Sequence, residues 1–208
     1  MRARMALLTA RIHCELRNVD RLHLPTAVDR VPLLQLPNGK LLDDSFAIMQ
    51  WASARRAELA LWPAIRVRQQ SIENLVRIVD GPFAEALQRY ANAVGGNSAE
   101  ILRARGEAEI VLAQLEARLA RNGHLVGDQE TLADLALLPF IYLFAELDRT
   151  WFDISPYRQL RAWLLHYNDN PAWQQVQRRP ALWRADGMPV YLQTQAPSDG
   201  PGDQLVSA

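Results

Sequence analysis

Two periodicities divide this chain. Residues 12–19, Ile12-His13-Cys14-Glu15-Leu16-Arg17-Asn18-Val19, alternate loosely between apolar and polar, which predicts a short strand with one wet face. Residues 31–36 form a second extended run, and Lys40-Leu41-Leu42 a third. Pro37-Asn38-Gly39 between them is a turn signal, with Asn-Gly suited to a tight hairpin. Beyond residue 57 the spacing changes to three and four, and no further strand is predicted. Ile65, Ile72, Leu75, Val76, Val79, Phe83, Leu87 and Tyr90 sit mostly at helical steps across residues 64–91, and Gly81-Pro82 is expected to break or kink that run. After the loop Gly95-Gly96-Asn97, Ser98 is placed to cap a helix with the stripe Ile101, Ala104, Ala108, Val111, Leu115 and Leu119, ended by Asn122-Gly123.

The segments around these signals complete the outline. Residues 2–10 contain only good helix formers and no breaker. Residues 20–30, with Pro25, read as a loop or a weak helix. Asp44 or Ser45 is suited to cap a helix over about residues 45–57, with Phe46, Met49 and Ala52 on its apolar side. Thr131, with Asp134 three residues on, has the spacing of a capping box in which aspartate replaces the usual glutamate or glutamine. The helix that follows is apolar on nearly every side, which predicts a central position in a bundle, and Pro139 should bend it. Residues 157–167 and 171–177 give two more helices. The chain therefore divides into a small mixed part, residues 1–57, a joint, 58–63, an all-helical part, 64–184, and a tail, 185–208, whose Pro, Gly, Ser and Gln content predicts disorder.

Composition narrows the function classes. The 208 residues are 49% apolar and carry 23 acidic and 23 basic side chains, so charge gives no sign of a nucleic-acid or membrane partner. The longest apolar run, residues 135–145, is well short of the roughly 20 residues that span a bilayer. The N-terminal apolar run is interrupted at Arg11 and does not read as a secretory signal. A cytoplasmic protein is expected. Cys14 is the single cysteine, so neither an intrachain disulfide nor a cysteine-based metal cluster can form. Its position in a predicted strand assigns it to packing. The four histidines show no metal-ligand spacing, and no metal site is expected.

Three blocks carry a resemblance. Val31-Pro32-Leu33-Leu34 is similar to the strand start where glutathione S-transferases have a cis-proline. Leu42-Asp43-Asp44-Ser45-Phe46-Ala47-Ile48 is similar to that family's acid-Ser-x-Ala-Ile segment. Leu125-Val126-Gly127-Asp128, continuing through Thr131-Leu132-Ala133-Asp134-Leu135, is similar to its helix-capping motif. The order and spacing of the blocks, followed by an all-helical half, extend the likeness over residues 2–184. More narrowly, Asp80-Gly81-Pro82-Phe83 and Asp148-Arg149-x-Trp151-Phe152 look like a bacterial subfamily. The resemblance implies an α/β thioredoxin-like N-terminal domain, truncated, followed by an all-α C-terminal bundle, and a homodimer.

It also implies a site. The backbone of Val31 would hold the cysteinyl part of glutathione, and a cis bond to Pro32 would bend the chain toward it. Asp44 would meet the γ-glutamyl ammonium, while the Ser45 hydroxyl and a helix-start N–H would meet the carboxylate. Thr131 and Asp134 would be structural. Glutathione is then a substrate, with an unknown electrophile or disulfide as the second, and the reaction is thiol transfer or glutathione-dependent reduction. Family members begin with a strand and a loop bearing the Tyr, Ser or Cys that activates the thiol. Met1-Arg2-Ala3-Arg4 aligns inside the helix after that loop, so no residue is assigned as catalytic. Two readings follow: an enzyme whose natural chain is longer, or a non-catalytic binding or interaction protein on the same fold.

Overall fold

The computed structural model describes residues 1–20, 31–96 and 98–192. The expected loop or weak helix at 20–30, apart from residue 20, and Asn97 of the expected loop lie outside those residues, as does the tail from 193. The chain forms two compact units, one from the described residues of Met1–Leu59 with those of Asn170–Ala208, the other Ala60–Asp169. The mixed strand-and-helix region is followed by a large helical one.

In the first unit, α1 (Arg2–Thr9) packs against α2 (Ser45–Arg55) and against α9 (Pro171–Gln177). Met5, Ala6 and Leu8 of α1, Ile48 and Met49 of α2, and Trp173 and Val176 of α9 are buried. Arg4 joins α1 to α9 by donating from Nη2 to the Val176 carbonyl at 2.7 Å. α1 ends in a Schellman motif: the Ile12 N–H donates to the Leu7 carbonyl and the Arg11 N–H to that of Leu8, both at 2.9 Å. Arg11 takes the left-handed position there, at φ 55°. α9, expected within a helical part reaching 184, groups instead with this unit, where it packs on α1 and receives the Arg4 hydrogen bond.

The strands are shorter than the alternation predicts. β1 is Cys14–Glu15, β2 is Leu34–Gln35 and β3 is Leu41–Leu42. β2 and β3 pair antiparallel, Leu34 with Leu42, and the hairpin closes through Pro37, Asn38 and Gly39, with Leu36 N–H donating to the Lys40 carbonyl at 2.8 Å. This is a three-residue loop, in which Gly39 at φ 80° takes the left-handed position.

The expected absence of strands after residue 57 does not hold. β4 (Tyr191–Leu192) pairs antiparallel with β1, Cys14 opposite Leu192. The Leu16 N–H donates to the Val190 carbonyl at 2.7 Å, the Trp183 N–H to that of Asn18 at 2.8 Å, and Asn18 Nδ2 to that of Pro180 at 2.7 Å. The Arg17 guanidinium lies 4.8 Å from the Trp183 ring centroid. The disorder expected from 185 onward is thus corrected for its described end. Val190, Tyr191 and Leu192 supply an apolar edge that the surrounding Pro and Gly obscure, and Leu192 is buried.

The second unit is helical. α3 (Arg66–Ile78) continues through a π-helical turn, Val79–Phe83, into α4 (Ala84–Ala93). Gly81-Pro82 therefore does not break the run; the wider turn takes up the proline. α5 (Ser98–Asn122) begins at Ser98 itself. α6 (Leu132–Leu147) runs through Pro139 and is buried nearly all round, as its composition predicts. Phe144 of α6 meets the rings of Phe83 at 5.8 Å and Tyr90 at 5.4 Å. α7 (Arg149–Ile154), which periodicity did not predict, is capped by Asp148, whose Oδ1 accepts from the Trp151 N–H at 3.0 Å. In α8 (Arg158–Asn168) the cap comes from another helix: Glu116 of α5 accepts from the Gln159 and Leu160 N–H groups, each at 2.9 Å. No helix among the described residues is long and apolar enough to cross a membrane.

Candidate functional site

The open end of the β2–β3 hairpin gathers the expected site residues of the first unit. Val31-Pro32 precedes β2 and Asp44-Ser45 follows β3, so the antiparallel register brings both pairs to the same end. The Val31-Pro32 peptide is cis. Val31 is half-buried and Pro32 exposed. Of the two candidate caps for α2, Asp44 is the one used. Its backbone is extended, at φ −118° and ψ 133°, and Oδ2 accepts from the Ala47 N–H at 2.7 Å. The residue is nevertheless exposed. An ionised carboxylate has about four acceptor positions, so capping leaves acceptor capacity at the surface.

Ser45 opens α2 and is half-buried. Its Oγ accepts a hydrogen bond from Nε of Arg2, the first residue of α1, at 2.8 Å. The sequence reading did not connect these residues. The packing of α1 on α2 brings them together across 43 positions, and no local pattern encodes that contact.

Cys14 is not equipped to be a nucleophile. It is buried in β1 opposite Leu192, and burial pushes its thiol up to about 11. At neutral pH the side chain is a thiol and packs as a small apolar group.

In the second unit, Thr131 and Asp134 form a capping box at the start of α6. Asp134 Oδ2 accepts from the Thr131 N–H at 2.9 Å and from its hydroxyl at 3.1 Å, while Thr131 Oγ1 accepts from the Ala133 N–H at 3.3 Å. The fully buried Asp134 does more than cap. Its Oδ1 also accepts from the Leu125 N–H at 3.0 Å and from Trp163 Nε1 at 3.3 Å. The box thereby fixes the preceding loop and joins α6 to α8.

His124 lies beside this node, with Nδ1 3.7 Å from Asp134 Oδ1. That is ion-pair distance, beyond hydrogen-bond length. The carboxylate holds the imidazole above its ordinary range, against the opposing effect of burial. Burial raises the Glu130 carboxyl, although the Tyr167 hydroxyl donates to it at 2.6 Å. A cleft of about 290 Å³ opens here, lined by Leu119, Gly123, His124, Gln159, Ala162, Trp163 and His166. It contains none of the four residues expected to contact ligand. Among the described residues, no group of three or more His, Cys, Asp or Glu is arranged to hold a metal ion.

Comparison with known proteins agrees with this architecture. The model of the glutathione S-transferase C-terminal domain matches residues 69–171. The chain is 26% identical over 167 residues to glutathione S-transferase GstB of Escherichia coli (strain K12), covering 77% of this chain and 74% of that one. It is similar in structure to glutathione S-transferase-I bound with lactoylglutathione, with a TM-score of 0.71 and 20% identity, over 84% of this chain and 91% of the other. A glutathione S-transferase from Rhodospirillum rubrum F11 gives a TM-score of 0.70 and 20% identity, over 86% and 87% of the two chains.

Proposed function

The chain belongs to the glutathione S-transferase superfamily, and from that premise we propose that it binds glutathione at the open end of the β2–β3 hairpin and serves thiol transfer to an electrophile or glutathione-dependent reduction. The observation that carries the reading is the union of Val31-Pro32 and Asp44-Ser45 at one end of one hairpin. The chemistry is amino-acid recognition. The backbone N–H and carbonyl of Val31 pair with the cysteinyl backbone, as an added strand would. The Asp44 carboxylate takes the γ-glutamyl ammonium, and the Ser45 hydroxyl takes the carboxylate. The second substrate is a small electrophile or a disulfide, and the working form is a homodimer.

A second reading drops the chemistry: a non-catalytic binding or interaction protein on the same fold. The burial of Cys14, the one cysteine of the chain, counts against a reaction that passes through a protein thiol, whereas conjugation uses glutathione's own sulfur.

Calorimetric titration with glutathione, followed by a conjugation assay with chlorodinitrobenzene, separates the two. The expected result is saturable glutathione binding. Conjugation on top of binding selects the enzyme; binding without conjugation selects the interaction protein. No glutathione binding rejects the enzyme and leaves the non-catalytic reading with another ligand or partner.

A further inference from the structure

We propose that the cleft between the end of α5 and α8 is a binding site in its own right, for a small planar aromatic carboxylate, with Leu119 and Trp163 against the ring and His124 against the acid group. It shares no residue with the hairpin end and does not depend on the reading of that end as a glutathione site.

The cleft has the make-up of a small-molecule site. At about 290 Å³ it stands near the lower end of the range for such sites, roughly 300–1,000 Å³. Its floor is apolar: Leu119 of α5 and Trp163 of α8 are almost wholly buried. The Trp163 indole is fixed on two sides. Its Nε1 donates to Asp134 Oδ1 at 3.3 Å, and its ring stands edge-on to Tyr167, with centroids 5.3 Å apart. The polar atom of the indole is thus occupied, and what remains for a ligand is hydrocarbon surface. Gly123 and Ala162 contribute little side-chain bulk, which keeps the space open to a flat ring. Among the described residues that line the cleft none is acidic, and its polar side chains are His124, Gln159 and His166.

His124 decides the polarity of the ligand. Its Nδ1 is buried, has no hydrogen-bond partner and lies 3.7 Å from Asp134 Oδ1. The exposed part of the side chain, 29%, is therefore the opposite edge of the ring, which carries Nε2. Asp134 already accepts from the Thr131 N–H and hydroxyl, the Leu125 N–H and Trp163, which fills about the four acceptor positions of a carboxylate. It holds the imidazole by charge and leaves the donor at Nε2 unspent. One buried carboxylate thereby sets two walls of the cleft, the indole and the imidazole. A protonated imidazole with a donor aimed away from Asp134 is complemented by an anionic acceptor.

The groups that act on His124 are Asp134 from α6, Asp128 and Glu130 from the loop before it, and His166 of α8 on the same cleft. Glu130 accepts from the Tyr167 hydroxyl, and Arg118 of α5 donates to the Leu125 carbonyl. The carboxylates hold the imidazole protonated above its ordinary range, against burial. As pH rises through that raised value, the proton kept is the one on Nδ1 that faces Asp134. Nε2 then turns from donor to acceptor, and a carboxylate loses its partner while a neutral amide does not.

Calorimetric titration with 2-naphthoate and with 2-naphthamide tests this. At about pH 6 the wild type should bind the acid about tenfold or more tightly than the amide, the ordinary effect of a charged hydrogen bond, and at about pH 9 the advantage should vanish. His124→Gln should remove the advantage at the lower pH and leave amide binding in place. Ala162→Trp, at an exposed position of α8, should fill the cleft and abolish binding of both. Melting temperature reports whether each variant is folded. No saturable naphthoate binding by the wild type overturns the proposal, as does a full acid advantage in folded His124→Gln. Should His124→Gln not fold, Ala162→Trp decides: unchanged naphthoate affinity in that variant puts the ligand elsewhere and overturns the proposal too.

Discussion

The carboxylate of Asp44 caps α2 through Ala47 and stands exposed at the hairpin end, so one substitution can separate its two roles. Asparagine caps a helix about as well as aspartate but carries no charge. Asp44→Asn should change unfolding free energy by less than about 1 kcal/mol, the remainder being its loss of favourable interaction with the helix dipole. Glutathione affinity should fall about tenfold with the lost ammonium partner. Urea unfolding and calorimetry on the same preparation check both; a fall in stability with unchanged affinity would make Asp44 a cap and nothing else. His124 gives a pH signature of its own. Its folded value is raised by Asp134, with Glu130 and Asp128 adding to the effect, so the protonated imidazole stabilises the folded state. That contribution is complete below the unfolded value of about 6.5 and is lost as pH rises through the folded value. Burial also raises Glu130, which adds the same sign of dependence, beginning above the ordinary carboxylate value. The stability difference between the wild type and His124→Gln should therefore shrink as pH rises above about 6.5 and through the raised folded value. Denaturant midpoints across that range measure it, and a difference independent of pH would show that His124 acts through packing.

At the scale of the element, α1 ends with an arginine where glycine is the usual solution. Arg11 at φ 55° takes the left-handed cost that a side chain brings, while its N–H and that of Ile12 complete the Schellman bonds. Arg11→Gly removes that cost, about 1–2 kcal/mol, and gives back part of it through the greater freedom of the unfolded chain. The net expected gain is about 0.5–1 kcal/mol, read as a higher urea midpoint with an unchanged slope. The helices were largely legible in the sequence because their information is local: the stripes of α3, α4 and α5, the apolar girth of α6 and the Thr131/Asp134 spacing all lie within a few turns of themselves. The hairpin was legible for the same reason. What stayed hidden depends on distant partners. Tyr191-Leu192 is a strand only because β1 lies against it, Glu116 caps a helix some forty residues away, and Arg2 meets Ser45 only once α1 and α2 have packed. The π-helical turn was hidden differently: Gly81-Pro82 read as a break or a kink, and the local rule does not say that a widened turn can take up the proline.

On the scale of the whole molecule, the two units differ in how the chain supplies them. Ala60–Asp169 is continuous, whereas the first unit is closed by α9 and β4, which come from the far side of the helical unit in sequence. Leu192 is the buried end of that closure. Leu192→Asp should destabilise the first unit by about 2–4 kcal/mol through lost burial and an unpaired charge, and should make amides of residues 14–18 exchange faster, with those of α5 and α6 little changed. Uniform acceleration across both units would contradict that division. The closure also fixes an order of events at the ribosome. The helical unit has all its residues in hand once Asp169 is made, but Arg4 must wait for Val176, 172 positions later. At roughly 5–20 residues per second that interval is about ten to thirty seconds. Throughout it the nascent β1 edge has no β4 to pair with, and an open edge is the kind of surface to which strands of other chains add. The α1–β1 segment is thus completed only after the whole helical unit has been made, and a chaperone acting on this protein during translation would find its substrate there.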